Sequence, residues 1–429
     1  MENLRGGKMD KEMKNIGLLL LALVITASAR EPIKSLPPTI QTKAVRARDL
    51  GIPFEGTPGR LNAITDVPGV EVGYTTLISG EGKLEVGKGP VRTGVTAILP
   101  RGHAALNDPV YAGFFSLNGN GEMTGTAWVD ESGFLEGPIA ITNTHSVGVA
   151  RDAVIAWRIK QGTGNQDLWS LPVVAETWDG WLNDINGFHV KPEDVWHALD
   201  TAHGGAVEEG SVGGGTGMIC YEFKGGNGTA SRVVSVAVAG GVDPGQEKTS
   251  RTYTIGVFLQ ANFGRRPQLI IAGVPVGQKI PGQVYKSASA GPSGGGQDLG
   301  SCIAVVATDA PLLPNQLKRL ARRVSLGLAR TGTISGNSSG DLFVAFSTAN
   351  PNVASPDQIT HDVQTIPNDL MDPLFAGVVQ STEEAVLNAL VDNHSMTGRD
   401  NHRVEALPHD RLREIMKRSA KRAGKCKQL

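Results

Sequence analysis

At 429 residues, with 40% hydrophobic and 19% charged side chains, the sequence has the composition of a globular protein rather than a disordered one. A net charge of −1, from 41 basic and 42 acidic residues, gives no general field that would recruit DNA, RNA or an anionic membrane surface. Glycine, 55 of 429 residues, is about 13% against a usual ~7% and follows no collagen period, so many positions must need tight turns or close backbone approach.

Residues 1–29 read as an export signal. Lys8, Lys11 and Lys14 precede an apolar run over 16–27 that is too short to span a bilayer, and Ala27-Ser28-Ala29 forms a small-residue exit before Arg30. The pattern predicts cleavage after Ala29, a periplasmic or secreted protein, and no membrane association afterwards. Residues 30–45 are then an N-terminal extension, 46–413 one domain, and 414–429 a basic C-terminal tail. Cys220, Cys302 and Cys426 show no C-x-x-C spacing, so packing rather than a disulfide framework or a zinc knuckle must hold the fold.

Short β-branched runs bounded by Gly, Pro or Asp, such as 95–99 and 233–239, predict buried strands. Helix signals fall at 146–160, 191–202, 314–328, 382–391 and 409–421, with Pro192 and Pro314 marking two of the starts. Helices sit between groups of strands rather than alternating strictly with them, which favours an α+β layered sandwich over a doubly wound sheet. Two stretches are rich in turn formers, 240–250 and 278–299. The second carries Ser287-Ala288-Ser289-Ala290-Gly291-Pro292-Ser293-Gly294-Gly295-Gly296 and has little apolar surface to offset the entropy of ordering.

Four places can carry chemistry. Gly336-Asn337-Ser338-Ser339-Gly340 fits the G-x-S-x-G elbow, but that motif needs a strand before it and a helix after it, and the reverse is predicted here. Gly213-Gly214-Gly215-Thr216-Gly217 lacks the lysine of a P-loop and reads as a tight turn. The nine histidines form no H-E-x-x-H, so no metal is expected, and His145 reads as a hydrogen-bonded residue at a helix start. The fourth is Ser301. It follows Gly300 and opens the apolar run 302–307, so a turn-rich leader feeds a buried strand at a Gly-Ser bond, as a self-cleaving precursor requires. A serine released there would carry both a hydroxyl and an α-amine, whose pKa of about 8 suits it to take the hydroxyl proton. Spacing alone does not separate it from an ordinary strand serine.

Several longer motifs carry a resemblance. They are Asn62-Ala63-Ile64-Thr65-Asp66-Val67-Pro68-Gly69-Val70, Thr142-Asn143-Thr144-His145-Ser146-Val147-Gly148, Glu176-Thr177-Trp178-Asp179-Gly180, Val274-Pro275-Val276-Gly277, Ala307-Thr308-Asp309-Ala310-Pro311-Leu312, and Ser339-Gly340-Asp341 with Ala345-Phe346-Ser347-Thr348. In this order, together with the 213–217 run and Gly300-Ser301, they resemble the L-aminopeptidase D-Ala-esterase/amidase and β-peptidyl aminopeptidase family over nearly the whole mature chain. The resemblance implies an αββα sandwich akin to N-terminal-nucleophile hydrolases and to ornithine acetyltransferase. It also implies self-cleavage at Gly300-Ser301 into an α chain (30–300) and a β chain (301–429), assembled as a homo-oligomer of αβ units.

The same resemblance implies the roles. Ser301 is the nucleophile, Ser339 and Asp341 form a pair around it, and Asn262 donates to the oxyanion. Glu176 pairs with the substrate ammonium, and Trp178 lines the substrate site. Substrates are short peptides, amides or esters, some with D-alanine or β-amino acids, and no cofactor is used. Asp341 stands where some members have Glu, and Trp178 where others have different side chains, so substrate preference does not carry over. The leader before Ser301 is longer than usual in the family. The competing readings are an acyltransferase of the ornithine acetyltransferase kind, whose nucleophile is usually Thr, and an unprocessed peptide-binding protein without catalysis.

Overall fold

In the computed structural model of the chain, residues 45–162, 167–238, 249–282 and 300–426 are described, side chains to 421. Residues 1–44, 163–166, 239–248, 283–299 and 427–429 lie outside these, and with them the expected export signal and most of the turn-rich stretch before Ser301.

The first part of the chain forms β1 (Glu71–Ser79), β2 (Val91–Leu99), β3 (Val110–Ser116), α1 (Thr126–Ser132), β4 (Phe134–Leu135), β5 (Ile139–Asn143), α2 (Val147–Lys160), β6 (Val173–Thr177) and α3 (Pro192–Asp200). A short hairpin, β7 (Ile219–Cys220) and β8 (Phe223–Lys224), leads into the long strands β9 (Gly226–Ala237) and β10 (Ser250–Asn262). Then come α4 (Val276–Lys279), β11 (Ser301–Thr308), α5 (Pro314–Arg330), β12 (Gly340–Ser347), α6 (Asp372–Val391), β13 (Met396–Thr397), β14 (Arg403–Val404) and α7 (His409–Cys426).

Two sheets result, one in the order β1-β2-β5-β6 and one in the order β4-β3-β12-β11-β10-β9. Within each sheet only one pair is parallel, β5 with β6 and β11 with β12. A parallel pair needs a crossover, and the helix that provides it, α2 or α5, packs on the outer face of its sheet. With α3 beside α2 and α6 beside α5, the order of layers is helix, sheet, sheet, helix.

Period-two alternation explains why the inner strands read as unbroken apolar runs. On β11, Ile303, Val305 and Ala307 enter the core between the sheets, while Cys302, Ala304 and Val306 pack under the α5 and α6 layer. On β2, Ile98 faces the inter-sheet core while Val95, Ala97 and Leu99 meet α2 and α3.

Most predicted elements are present, with two boundaries displaced. The strand expected at 233–239 starts seven residues earlier, and the helix expected at 382–391 is the last half of α6. That helix is buried over most of its surface and its first turns, 374–379, are unbroken apolar residues, so its start lacks the polar stripe that marks a helix by periodicity. The turn-rich stretches also hold order at their edges, since Ser250 belongs to β10 and Lys279 to α4. The 213–217 run is a buried turn wedged between the sheets. A Cβ on Gly214 would stand 2.3 Å from Oε1 of Gln260, and one on Gly217 would stand 2.4 Å from the carbonyl of Arg92.

Candidate active site

Three strands of the larger sheet bring the predicted residues together. Ser301 opens β11, paired with Asn262 at the end of β10 and with Gly340 at the start of β12. Only 4% of Ser301 is exposed, and by alternation its side chain shares the inter-sheet face with Ile303. The peptide bond that precedes it is tightly enclosed. The Gly300 carbonyl accepts the Gly340 N–H at 3.2 Å, and a Cβ on residue 300 would lie 2.3 Å from the Asn262 carbonyl oxygen. Only glycine fits without moving the backbone, which gives the Gly-Ser junction a steric cause. Gly300→Ala is therefore expected to slow formation of a chain beginning at Ser301 by about a hundredfold, read as the ratio of one to two bands on a denaturing gel over time.

Ser339 and Asp341 are both buried, and the Ser339 hydroxyl donates to Oδ1 of Asp341 at 2.8 Å. Register refines the expectation that this pair surrounds the nucleophile. Asp341 is opposite Cys302, so by alternation the pair faces the helix side of the sheet, against the backbone of 300–302 and away from the face that bears the Ser301 side chain. On that same face burial, and then Asp341, push the Cys302 thiol well above its usual range, so it stays protonated and does not compete as a nucleophile. Ser338 lies in a turn between α5 and β12. The strand-turn-helix context of the G-x-S-x-G elbow is absent there, as the sequence indicates.

The orientation of Asn262 is fixed at both ends. Its Oδ1 accepts the Ile219 N–H at 2.8 Å, and its Nδ2 donates to the Trp178 carbonyl at 2.9 Å. These contacts assign the amide oxygen and nitrogen and leave the second hydrogen of the NH2 group available as a donor beside Ser301.

Glu176, on β6 of the smaller sheet, is 3% exposed. Its Oε1 accepts the Glu122 N–H at 3.1 Å and its Oε2 accepts the Thr144 hydroxyl. Burial pushes its pKa above the ordinary carboxylate range, while the Thr144 hydroxyl and the Glu122 N–H pull in the other direction. Gly121 links this carboxylate to the start of β12, the strand paired with Ser301. A Cβ on Gly121 would stand 3.2 Å from Oε1 of Glu176 and 3.1 Å from Cα of Gly340, so a single residue's width separates the carboxylate from the Gly340 backbone that pairs with Ser301.

Trp178 is half-buried, and its indole packs so closely on Gly180 that a Cβ there would come within 2.7 Å of it. His145 stands at the helix start as expected, its N–H bonded to the Asn143 side chain. Its ring is exposed and stacks on Phe188 at 6.1 Å.

Sequence reasoning missed several supports. Thr144 lay inside a motif and Gly121 outside all of them, and nothing in the sequence says that they meet Glu176. Asp179 is fully buried with Oδ1 held by Asn183 at 3.0 Å, and burial pushes its carboxyl up to about 7. It stood in the Glu-Thr-Trp-Asp-Gly motif without an assigned role. Among the described residues, no group of three or more His, Cys, Asp or Glu converges in a metal-binding arrangement.

Two packed sheets between helical layers, with a hydroxyl residue opening a central strand, define the architecture of an N-terminal-nucleophile hydrolase. The sequence profile of peptidase family S58 matches residues 62–404. Over 379 residues the chain is 54% identical to β-peptidyl aminopeptidase BapA of Sphingosinicella microcystinivorans, covering 87% of this chain and 92% of that protein. It is 48% identical over 407 residues to BapA of Sphingosinicella xenopeptidilytica, covering 93% and 95%. The solved L-aminopeptidase D-Ala-esterase/amidase of Ochrobactrum anthropi is described as a prototype for the serine aminopeptidases and a new variant of the N-terminal-nucleophile hydrolase fold. It superposes with a TM-score of 0.76 at 47% identity, over 87% of this chain and 99% of that one. The chain thus belongs to peptidase family S58 and is an aminopeptidase of the N-terminal-nucleophile type.

Proposed function

We propose that the protein is exported, cleaves itself at Gly300-Ser301 and then releases N-terminal residues from short peptides, amides or esters. The names of the two relatives favour β-amino acids as the residues removed. The observation that carries the reading is the register of Asn262, Ser301 and Gly340, which places a hydroxyl, an aimed amide donor and a sterically obligatory glycine around one peptide bond.

In the precursor, the Ser301 hydroxyl attacks the Gly300 carbonyl carbon, and the amide nitrogen of Ser301 leaves as an amine. Water then hydrolyses the ester, freeing the Gly300 carboxylate and the Ser301 hydroxyl. In the mature enzyme the α-amine of Ser301 takes the hydroxyl proton as oxygen attacks the substrate carbonyl, and later returns it to the departing amine. Asn262 Nδ2 donates to the oxygen as it becomes negative. Water releases the acyl group.

Glu176 binds the ammonium of the substrate, which restricts the reaction to free N-termini because an internal residue has no cation to offer. Trp178, with the His145 and Phe188 rings, lines the approach. The architectural kinship with ornithine acetyltransferase and the assembly into oligomers of αβ units belong to the same proposal. Intact mass and N-terminal sequencing of the active protein test it. One chain should begin near Arg30 and the other at Ser301. An active protein in which Gly300 still precedes Ser301 would overturn the reading.

N-acetylation of a good substrate leaves Glu176 without its counter-charge, and Glu176→Gln removes the same attraction from the other side. Each change should lower kcat/KM by roughly ten- to a hundredfold, and the two together by little more than either alone. The acid limb provides a second readout. Only the carboxylate form attracts the ammonium, and the pKa of Glu176 is raised, so kcat/KM should begin to fall at a higher pH than an ordinary glutamate would give, and this limb should flatten in Glu176→Gln. Additive losses would show that Glu176 is not the amine clamp.

A further inference from the structure

We propose that Lys224 is a positioning residue for the oxyanion donor, acting on Asn262 through the peptide group that joins Met218 to Ile219. This rests on the role given to Asn262 above.

The hairpin of β7 and β8 turns through Tyr221 and Glu222, with φ of 50° and 57°. Two consecutive non-glycine residues in the left-handed region make an unfavourable turn, which persists only where its surroundings impose it. The surroundings here do so with backbone contacts. The Tyr221 N–H donates to the Phe263 carbonyl at 2.7 Å, next to Asn262. The Arg266 guanidinium lies over the Phe223 ring, donating through Nε to the Tyr221 carbonyl at 3.0 Å and through Nη2 to that of Glu222. Lys224 completes the set. Its side chain is fully buried, and Nζ donates to the Met218 carbonyl at 2.9 Å and to the Gly225 carbonyl at 2.7 Å.

A buried ammonium without a carboxylate is expensive to desolvate, and a methionine would fill a similar volume without that penalty. Among the described residues the Lys224 ammonium meets carbonyls rather than an acid. Its partners explain its presence. The Met218 carbonyl and the Ile219 N–H belong to one peptide group. Lys224 donates to the oxygen of that group, and the N–H at its other side donates to Oδ1 of Asn262 at 2.8 Å. The side-chain amide of Asn262 in turn offers its NH2 to the reacting oxygen. The chain from Nζ through two amides to the oxyanion is continuous, and each donor in it polarises the next. Lys224 fixes where Asn262 points and strengthens it as a donor when negative charge develops.

A structural role alone would lower the melting temperature and leave the chemistry of each folded, processed enzyme unchanged. A positioning role separates transition-state from ground-state binding. The test compares Lys224→Met, which removes both donors, with Lys224→Gln, a shorter neutral donor that cannot reach both carbonyls. For processed enzyme of each variant, kcat and KM are measured with an amino-acid p-nitroanilide. Inhibition is measured with the corresponding aminoalkyl boronic acid, which forms a tetrahedral adduct on serine, and with the free amino acid.

In Lys224→Met, kcat and boronate affinity should fall together by about ten- to a hundredfold, with KM and amino-acid inhibition within about threefold of wild type. Lys224→Gln should be intermediate in both. In an Asn262→Ala background, Lys224→Met should cost less than about threefold more. Unchanged kcat and boronate affinity, or an equal loss without Asn262, would overturn the proposal. If Lys224→Met does not fold, Lys224→Gln decides, since values equal to wild type would overturn it and a matched fall in both would support it. A wild-type enzyme insensitive to the boronate would instead overturn the assignment of Ser301 and Asn262, whatever the Lys224 variants do.

Discussion

Ser301→Ala is expected to remain one uncleaved chain, with kcat/KM lower by on the order of 10⁴ or more. The size follows from the double use of one residue. In the proposed mechanism its hydroxyl is the attacking group in self-cleavage and in turnover, and the amine that would serve as base exists only after cleavage. Removing the hydroxyl therefore removes both functions, and no neighbour replaces it. Cys302 is buried on the opposite face of β11 with its thiol held protonated. Ser339 is committed to Asp341. Ser338→Ala is the control, because its turn follows a helix and leads into a strand, the reverse of the order that exposes an elbow nucleophile, and it should process and turn over as wild type does. Intact mass and kcat/KM on an amino-acid p-nitroanilide measure both variants. A cleaved, active Ser301→Ala would end the assignment of Ser301, and an unprocessed Ser338→Ala would return the G-x-S-x-G sequence to consideration.

The parts of this site that the sequence displays are those set by local chemistry. A glycine before a serine at the mouth of an apolar run is visible without a structure, and so is a misplaced elbow motif, because each depends on neighbours in the chain. Facing depends on register between distant segments. That Asp341 lies opposite Cys302 rather than Ser301 follows from Gly340 pairing with Ser301, a contact across 39 positions that no local pattern encodes. Lys224 was concealed for a related reason. Nothing local in Phe223-Lys224-Gly225-Gly226 marks the lysine as buried, and it is the closure of β7 on β8 beside Asn262 that buries it. The start of α6 was a lesser omission, since Asp372-Pro373 is a helix-opening signal and the uniformly apolar turns after it obscured the periodicity.

Asn262→Ala should lower kcat by about 10²–10³-fold in processed enzyme and leave KM nearly unchanged, since in the proposed mechanism the second amide hydrogen meets an oxygen that carries full charge only in the transition state. Two features make this donor strong. It is held by the Ile219 N–H and the Trp178 carbonyl before substrate arrives, so no reorientation is needed during the reaction, and the site is 3% exposed, so water does not screen the interaction. Asn262→Asp separates shape from hydrogen bonding. It is isosteric, yet it replaces the NH2 with an oxygen facing the Trp178 carbonyl and the developing oxyanion, and it should lose more than the alanine variant at neutral pH. Self-cleavage as proposed would use the same donor and should slow in the same order, so kinetics are normalised to the concentration of chains beginning at Ser301. If Asn262→Ala raised KM and spared kcat, the amide would be a ground-state contact, and the donor to the oxyanion would have to be sought among the backbone N–H groups around Gly340.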